Sequence, residues 1–198
     1  MTTTSGPDVR SDDAVRIIGA AWRVLGRSGF RSLKVRQVII EAHTSAFVFY
    51  RHFPSKSHLL LGLMREEMRR AARDLSAAMD AADDARDKIR AFVEHSLTIA
   101  YDDTLAARAR MFMDSEVARE LPADVEQAYE LVLAPLVAVL ELGNRQGVFD
   151  CHDPRSDARS LQHLCSGAVS DRLAGRMTAP KETAIEHVAE FALRALRG

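Results

Sequence analysis

Three features of the sequence predict an all-α protein of about nine helices. Alanine, leucine, arginine, glutamate and aspartate outnumber the β-branched residues, a composition that favours helix. Apolar residues recur at spacings of three and four through most of the chain, the signature of helices that bury one face. The one stretch with clear strand propensity, "FVFY" at residues 47–50, has no partner strand signalled anywhere. At 198 residues, 47% hydrophobic and 28% charged, the chain has room for one domain or two small ones around a sizeable core.

Ser11, followed by Asp12 and Asp13, predicts the first helix start: a hydroxyl to cap the orphan amides and two carboxylates at the positive end of the dipole. Ala14, Ile17, Ile18, Ala21, Trp22 and Leu25 then form one apolar stripe, with Trp22 read as core filler and Gly29 as the stop. A short second helix is expected from Val35 to Ala42, with Val35, Val38 and Ile39 inward and Arg36 and Gln37 outward. Its start is weakly written, because Lys34 stands where a capping hydroxyl belongs and an ammonium cannot accept amide hydrogens.

Within "HTSAFVFYRHFPSKS", residues 43–57, Ser45 can cap a helix, Phe49 and Phe53 share a face, and Pro54 forces an end before Ser55 caps the next helix. The stretch is therefore expected to be a helix of two turns. With Phe49 and Phe53 in the core, Ala46, Phe47, Val48, Tyr50 and Arg51 must face outward, and aromatic residues on a solvated face need a reason. Two short helices joined by a tight turn, the second presenting side chains outward, make a helix-turn-helix whose second helix can enter a major groove. The charge distribution agrees: residues 1–56 hold nine Lys or Arg against four Asp or Glu, a balance of +5, whereas the remainder has 18 against 24, or -6.

The segment from Ile17 to Leu61 resembles the DNA-binding domain of the tetracycline-repressor (TetR) family through "AAWRVLGRSGF", "VRQVIIEAHTS" and above all "FYRHFPSKSHLL". The family usually has Gly in the turn and a small apolar residue after it, where this chain has His43 and Thr44; Phe47 and Val48 replace a small residue and a threonine common there. His tolerates a left-handed conformation better than most residues, at a cost of about 1 kcal/mol. The resemblance implies an amino-terminal DNA-binding domain over residues 1–56, with a flexible tail at 1–10, and a helical ligand-binding and dimerisation domain over residues 57–198. Lys34, Arg36, Tyr50, His52 and Lys56 are then expected on phosphates, Ser45 and Arg51 as polar contacts beside Ala46, and Phe47 and Val48 on a thymine methyl, the natural partner of side chains without donors or acceptors.

The body is read locally. A long helix is expected from Ser55 to Ala81, carrying Leu59, Leu60, Leu63, Met64, Met68, Ala71, Leu75 and Met79 on its apolar face. Another starts at Asp83 or Asp84 with Ile89, Phe92, Val93, Ser96, Leu97 and Ala100 inward, and a third spans residues 104–119. Pro122 opens a fourth, kinked at Pro135 and ending near Gly147; "FDCHDPRSD" is a connecting loop, and two final helices run over residues 156–176 and 180–196. Phe92, His95, Ser96, Ile99, Met111, Phe112, Tyr129 and Leu133 are candidates to line an apolar pocket, each with an ordinary core role as its alternative. The faces Leu161, Leu164, Cys165, Ala168, Val169 and Val188, Phe191, Ala192 suit a helix–helix interface; the resemblance implies that they join two copies, and the alternative is an intramolecular core.

No metalloprotease, phosphate-loop, serine-hydrolase or dinucleotide motif is present, so an enzyme is not expected. Cys151, His152, Asp153, His163 and Cys165 carry metal-ligand chemistry, but His163 and Cys165 lie two apart on an expected helix and face different ways, so neither a metal nor a cofactor is expected. The longest apolar run, Leu131 to Leu140, is far short of a membrane span and the amino terminus is polar, which points to the cytoplasm and to free thiols at Cys151 and Cys165. The expected partners are an operator in double-stranded DNA, a small-molecule effector and a second copy of the chain. The expected function is a ligand-responsive regulator, in the first instance a repressor; a helical ligand-binding protein without DNA binding, or an enzyme on the same scaffold, is the rival.

Overall fold

The computed structural model describes residues 11–28, 33–113 and 116–197; the tail at 1–10 and the helix stop expected at Gly29 lie outside them. Ten helical elements appear among the described residues: α1 (Asp12–Ser28), α2 (Val35–Glu41), α3 (Ala46–His52), α4 (Lys56–Asp80), α5 (Ala85–Thr98), α6 (Asp103–Met113), the single turn α7 (Val117–Glu120), α8 (Pro122–Arg145), α9 (Pro154–Leu173) and α10 (Lys181–Ala195). The all-α class predicted from periodicity is the one observed. The chain divides into two compact units, Met1–Glu67 with Asp114–Ala128 and Met68–Met113 with Tyr129–Gly198, and it passes from one to the other within α4, after α6 and within α8.

In the first unit, the Ser11 hydroxyl accepts the Ala14 amide at 3.2 Å, which starts α1 as its sequence predicts. Ala14, Ile17, Ala20 and Ala21 are fully buried, with Ile18, Val24 and Leu25 nearly so, while Trp22 is only partly buried. The first turns of α4 are buried on every side, Leu59, Leu60, Leu61, Leu63 and Met64 all at 5% exposure or less. They are tied to α7 and the start of α8 by a Ser57–Glu120 hydrogen bond and by Arg65, which donates to Asp124 at 2.8 Å and Gln127 at 3.1 Å.

The join between α2 and α3 is closed by backbone bonds that terminate a helix in the left-handed region. The Thr44 amide reaches the Ile39 carbonyl at 3.2 Å and the His43 amide the Ile40 carbonyl at 3.1 Å, with His43 at φ 47°. Analogous ends of α8 and α9 are made by Gly147 and Gly175, at φ 67° and 74°, where no Cβ resists the conformation. At α2 and α3 the turn keeps its geometry with a residue that has one.

The second unit is built on a core of Leu75, Met79, Ile89, Phe92, Val93, Leu97, Leu136, Leu140, Leu161, Cys165, Val188 and Ala192, with α5 packed on α9 and α10. Asp84 starts α5 by accepting the Arg86 and Asp87 amides at 2.8 and 2.9 Å. The helix expected over residues 104–119 is instead divided into α6 and α7. The helix expected to start at residue 156 begins two residues earlier, because Asp153 caps Arg155 and Ser156 at 3.1 and 3.2 Å and Pro154 occupies the first helical position, where its missing N–H costs nothing. Pro135 lies inside α8; it leaves the Leu131 carbonyl without an intrahelical donor, on a residue that is exposed to solvent. A Cβ on Gly143 would sit 2.0 Å from the buried ring of Phe149, so only glycine lets the loop after α8 fold back onto it. The Tyr101 hydroxyl donates to the Ala179 carbonyl at 3.0 Å, and the Arg172 guanidinium stacks 4.6 Å from the Tyr101 ring centre.

The residues expected at a dimer interface fall into two groups. Leu161, Cys165, Ala168, Val188 and Ala192 are buried within the single chain, in the unit's own core, which is the intramolecular alternative. Leu164 and Val169 are partly buried and Phe191 is 51% exposed, so these three remain available. The periodicity of α9 and α10 identifies apolar faces correctly but cannot distinguish the face turned to α5 from a face turned to a partner.

The strain at His43 gives an expected outcome. Glycine relieves it at the cost of a more flexible unfolded chain, whereas a β-branched side chain aggravates it. His43→Gly is expected to leave stability to urea level or raise it by less than about 1 kcal/mol, and His43→Val to lower it by about 1–3 kcal/mol. Equal midpoints for the valine variant and the parent chain would contradict a left-handed turn here.

Candidate nucleic-acid interface

The exposed face of α3 is set from beneath. The Ser45 hydroxyl accepts the Val48 amide at 3.2 Å, Pro54 follows the helix end, and Phe49 and Phe53 are fully buried with ring centres 5.8 Å apart. A helix held in this way has no rotational freedom left. Phe47 is therefore 77% exposed and Tyr50 51% exposed, with Ala46 and Arg51 exposed beside them; Val48 and His52 are partly buried. A Phe47 ring folded back over the His43 turn, the alternative to an outward role, does not fit that exposure.

The start of α2 carries the reciprocal half of a capping box. The Lys34 amide donates to Gln37 Oε1 at 3.1 Å, so the outward glutamine fixes the helix entry by satisfying the N-cap residue's own amide. Lys34 and Arg36 are exposed and enter no ion pair among the described residues. Lys56 occupies the first position of α4, next to Ser55, whose hydroxyl accepts the His58 amide at 3.3 Å. Lys56 thus sits at the positive end of a 25-residue helix, a location that favours a phosphate oxygen.

Several basic residues of the first unit are paired with carboxylates. Glu41 accepts from Arg23 at 2.7 Å and from Arg27, which joins α1 to the end of α2 and holds the Glu41 carboxyl below its ordinary pKa. Asp13 takes Arg16 at 2.6 Å and Arg51 at 3.3 Å. The Asp13–Arg16 pair has helical i,i+3 spacing and can be suspected from sequence. The Asp13–Arg51 and Glu41–Arg23 pairs join residues distant in sequence, and periodicity carries no signal for them.

In the second unit, Phe92, Leu133 and Met111 are buried, whereas His95, Ser96, Ile99, Phe112 and Tyr129 are partly buried. Burial pushes the His95 pKa down, opposed by the Asp74 carboxylate, and pushes the Tyr129 hydroxyl up. Burial also raises the Cys165 thiol to about 12, against a hydrogen bond from Ser96. Ser96, His95 and Tyr129 are thus polar groups in weakly solvated surroundings, while Phe92 and Leu133 belong to the core itself. Among the described residues no group of three His, Cys, Asp or Glu side chains could hold a metal ion, and no helix is long and apolar enough to cross a membrane.

Residues 17–63 match the family described as bacterial regulatory proteins, tetR family. The HTH-type transcriptional regulator BetI of Brucella melitensis biotype 2 is 31% identical over 102 residues, 50% of this chain and 52% of that protein; the chain thus spans about half the length of the curated relatives it matches first. The HTH-type transcriptional activator FasR of Mycolicibacterium smegmatis is 24% identical over 183 residues, 92% of this chain and 82% of its own. The transcriptional regulator FadR from Bacillus subtilis, solved in complex with stearoyl-CoA, superposes with a TM-score of 0.71 at 19% identity, covering 92% of this chain and 99% of that one. At that identity the likeness shows a shared fold. The match thus makes residues 17–63, which hold α2, α3 and parts of α1 and α4, a domain of the tetR family of bacterial regulatory proteins, and the fold is shared with solved neighbours over most of the length.

Proposed function

We propose that the chain is a homodimeric transcriptional regulator that acts in the cytoplasm as a repressor: α3 binds an operator in double-stranded DNA, and a small molecule in the second unit releases it. The observation that carries this reading is the exposure of Phe47, Tyr50 and Arg51 on a helix locked by the burial of Phe49 and Phe53. Two large aromatic side chains in water have no structural use there, and a duplex offers both of them partners, a base edge for Phe47 and a phosphate for Tyr50. Phe47 takes the groove, and Lys34, Arg36, Tyr50, His52 and Lys56 supply phosphate contacts around it. Two copies present two such helices to half-sites about 34 Å apart or a multiple of that. For the ligand, the apolar surroundings of His95, Ser96 and Tyr129 favour a molecule with a long apolar part and a polar end, and stearoyl-CoA in the Bacillus subtilis neighbour is of that kind. Phe191, Leu164 and Val169 are among the residues of α9 and α10 that remain accessible to a second copy.

Two substitutions separate general attraction from sequence reading. Lys56→Ala is expected to weaken every duplex alike and to flatten the dependence of log affinity on log salt by about one unit; an unchanged slope contradicts the phosphate contact. Phe47→Ala is expected to leave the melting temperature nearly unaltered while lowering affinity for the preferred duplex by about 1–3 kcal/mol. Replacing the contacted thymine with uracil is expected to reproduce that loss. A large fall in melting temperature without sensitivity to the methyl group would return Phe47 to a structural role.

A further inference from the structure

Asp13 lies among the cations of the first unit, at the start of α1, and its two oxygens are divided between two helices. Oδ1 accepts from Arg16 Nη2 at 2.6 Å, and Oδ2 accepts from Arg51 Nη2 at 3.3 Å, with His52 Nε2 4.0 Å from the same oxygen. Arg16 is itself anchored, since its Nε donates to the Ala42 carbonyl at 3.1 Å, one residue before the His43 turn. The order of contacts is therefore turn, Arg16, Asp13, Arg51, and it ends on the exposed face of α3.

We propose that Asp13 is a positioning residue for DNA readout, holding the Arg51 guanidinium in the orientation from which it contacts a base edge. The proposal rests on the reading of α3 as the DNA-contacting helix. Asp13 and the neighbouring His52 ring at 3.4 Å engage only Nη2 of Arg51, which leaves Nε and Nη1 without a partner among the described residues. Nε–H and Nη1–H point to different edges of the guanidinium, so a base contact made while Asp13 holds Nη2 is a single hydrogen bond, from Nη1 to guanine O6 or N7. A free arginine must lose much of its rotamer freedom to make that contact, and one already tethered has lost it before DNA arrives. The same carboxylate stands among groups that face phosphates, so its charge repels every duplex regardless of sequence. Its two effects on binding are opposite in sign: it lowers general affinity and raises discrimination.

The test uses the full chain, the duplex that it enriches most from a random pool, and a scrambled duplex of the same composition. Asp13→Asn removes the charge at constant size. It is expected to tighten binding to the scrambled duplex about threefold or more and to reduce the preference for the enriched duplex about tenfold. In an Arg51→Ala background the same substitution is expected to leave the preference unchanged within about twofold, because the effect acts through Arg51. Asp13→Glu keeps the charge and moves it by one methylene, so scrambled-duplex affinity stays at the parent level while the preference falls. This second variant decides the matter if Asp13→Asn does not fold. An unchanged preference in the variants that fold, or an equal loss with and without Arg51, would overturn the proposal, as would a fall in melting temperature with the preference intact. If the parent chain enriches no duplex at all, the DNA-binding reading falls together with this one; if it does and the variants match it, only this one falls.

Discussion

The burial of Phe49 and Phe53 under a helix of two turns is the constraint on which the rest of the first unit depends. A short helix has little stability of its own in water, so its position comes from what it packs against. Both rings are fully buried, and each represents about 1.5–3 kcal/mol of apolar burial, more than any outward contact of α3 with solvent can offset. Once they are placed, the rotation of α3 is settled, and Phe47, Tyr50 and Arg51 point away from the core without any further interaction to turn them outward. The exposed surface of α3 is in this sense a by-product of the core.

The same unit carries a device with the opposite energetic sign. The left-handed His43 turn is strained, and the contacts of its neighbours compensate: Thr44 and His43 amides close on α2, Ser45 caps α3, and Arg16 fastens the Ala42 carbonyl to α1. The ion pairs at Asp13 and Glu41 are partly exposed and individually contribute little to stability. Their value lies in orientation, because together they bring α1, the end of α2 and α3 into register.

How much of this was legible in the sequence depends on how local each cause is. Caps at Ser11, Ser45 and Ser55, the stop at Pro54 and the left-handed His43 are written within a few residues of where they act, and each appears where the sequence places it. The start of α9 was also written locally, as Asp153 before Pro154, yet the loop-like composition of the surrounding stretch concealed it. The identity of the surface that α9 and α10 bury was not legible, since an apolar face has the same periodicity whether α5 or a partner covers it. Nor was the Asp13–Arg51 pair, which joins residues 38 apart in sequence.

The central claim is that α3 has one face in the core and the opposite face on DNA. Hydroxyl-radical labelling of the full chain, read residue by residue with mass spectrometry, tests both halves at once. In the free chain Phe47 and Tyr50 are predicted to be labelled and Phe49 and Phe53 to be protected; adding a random-sequence duplex at low salt is predicted to protect Phe47 and Tyr50 and to leave the other two unchanged. Protection of Phe47 in the free chain, or equal labelling of Phe47 and Tyr50 with and without a duplex that demonstrably binds, would contradict the account.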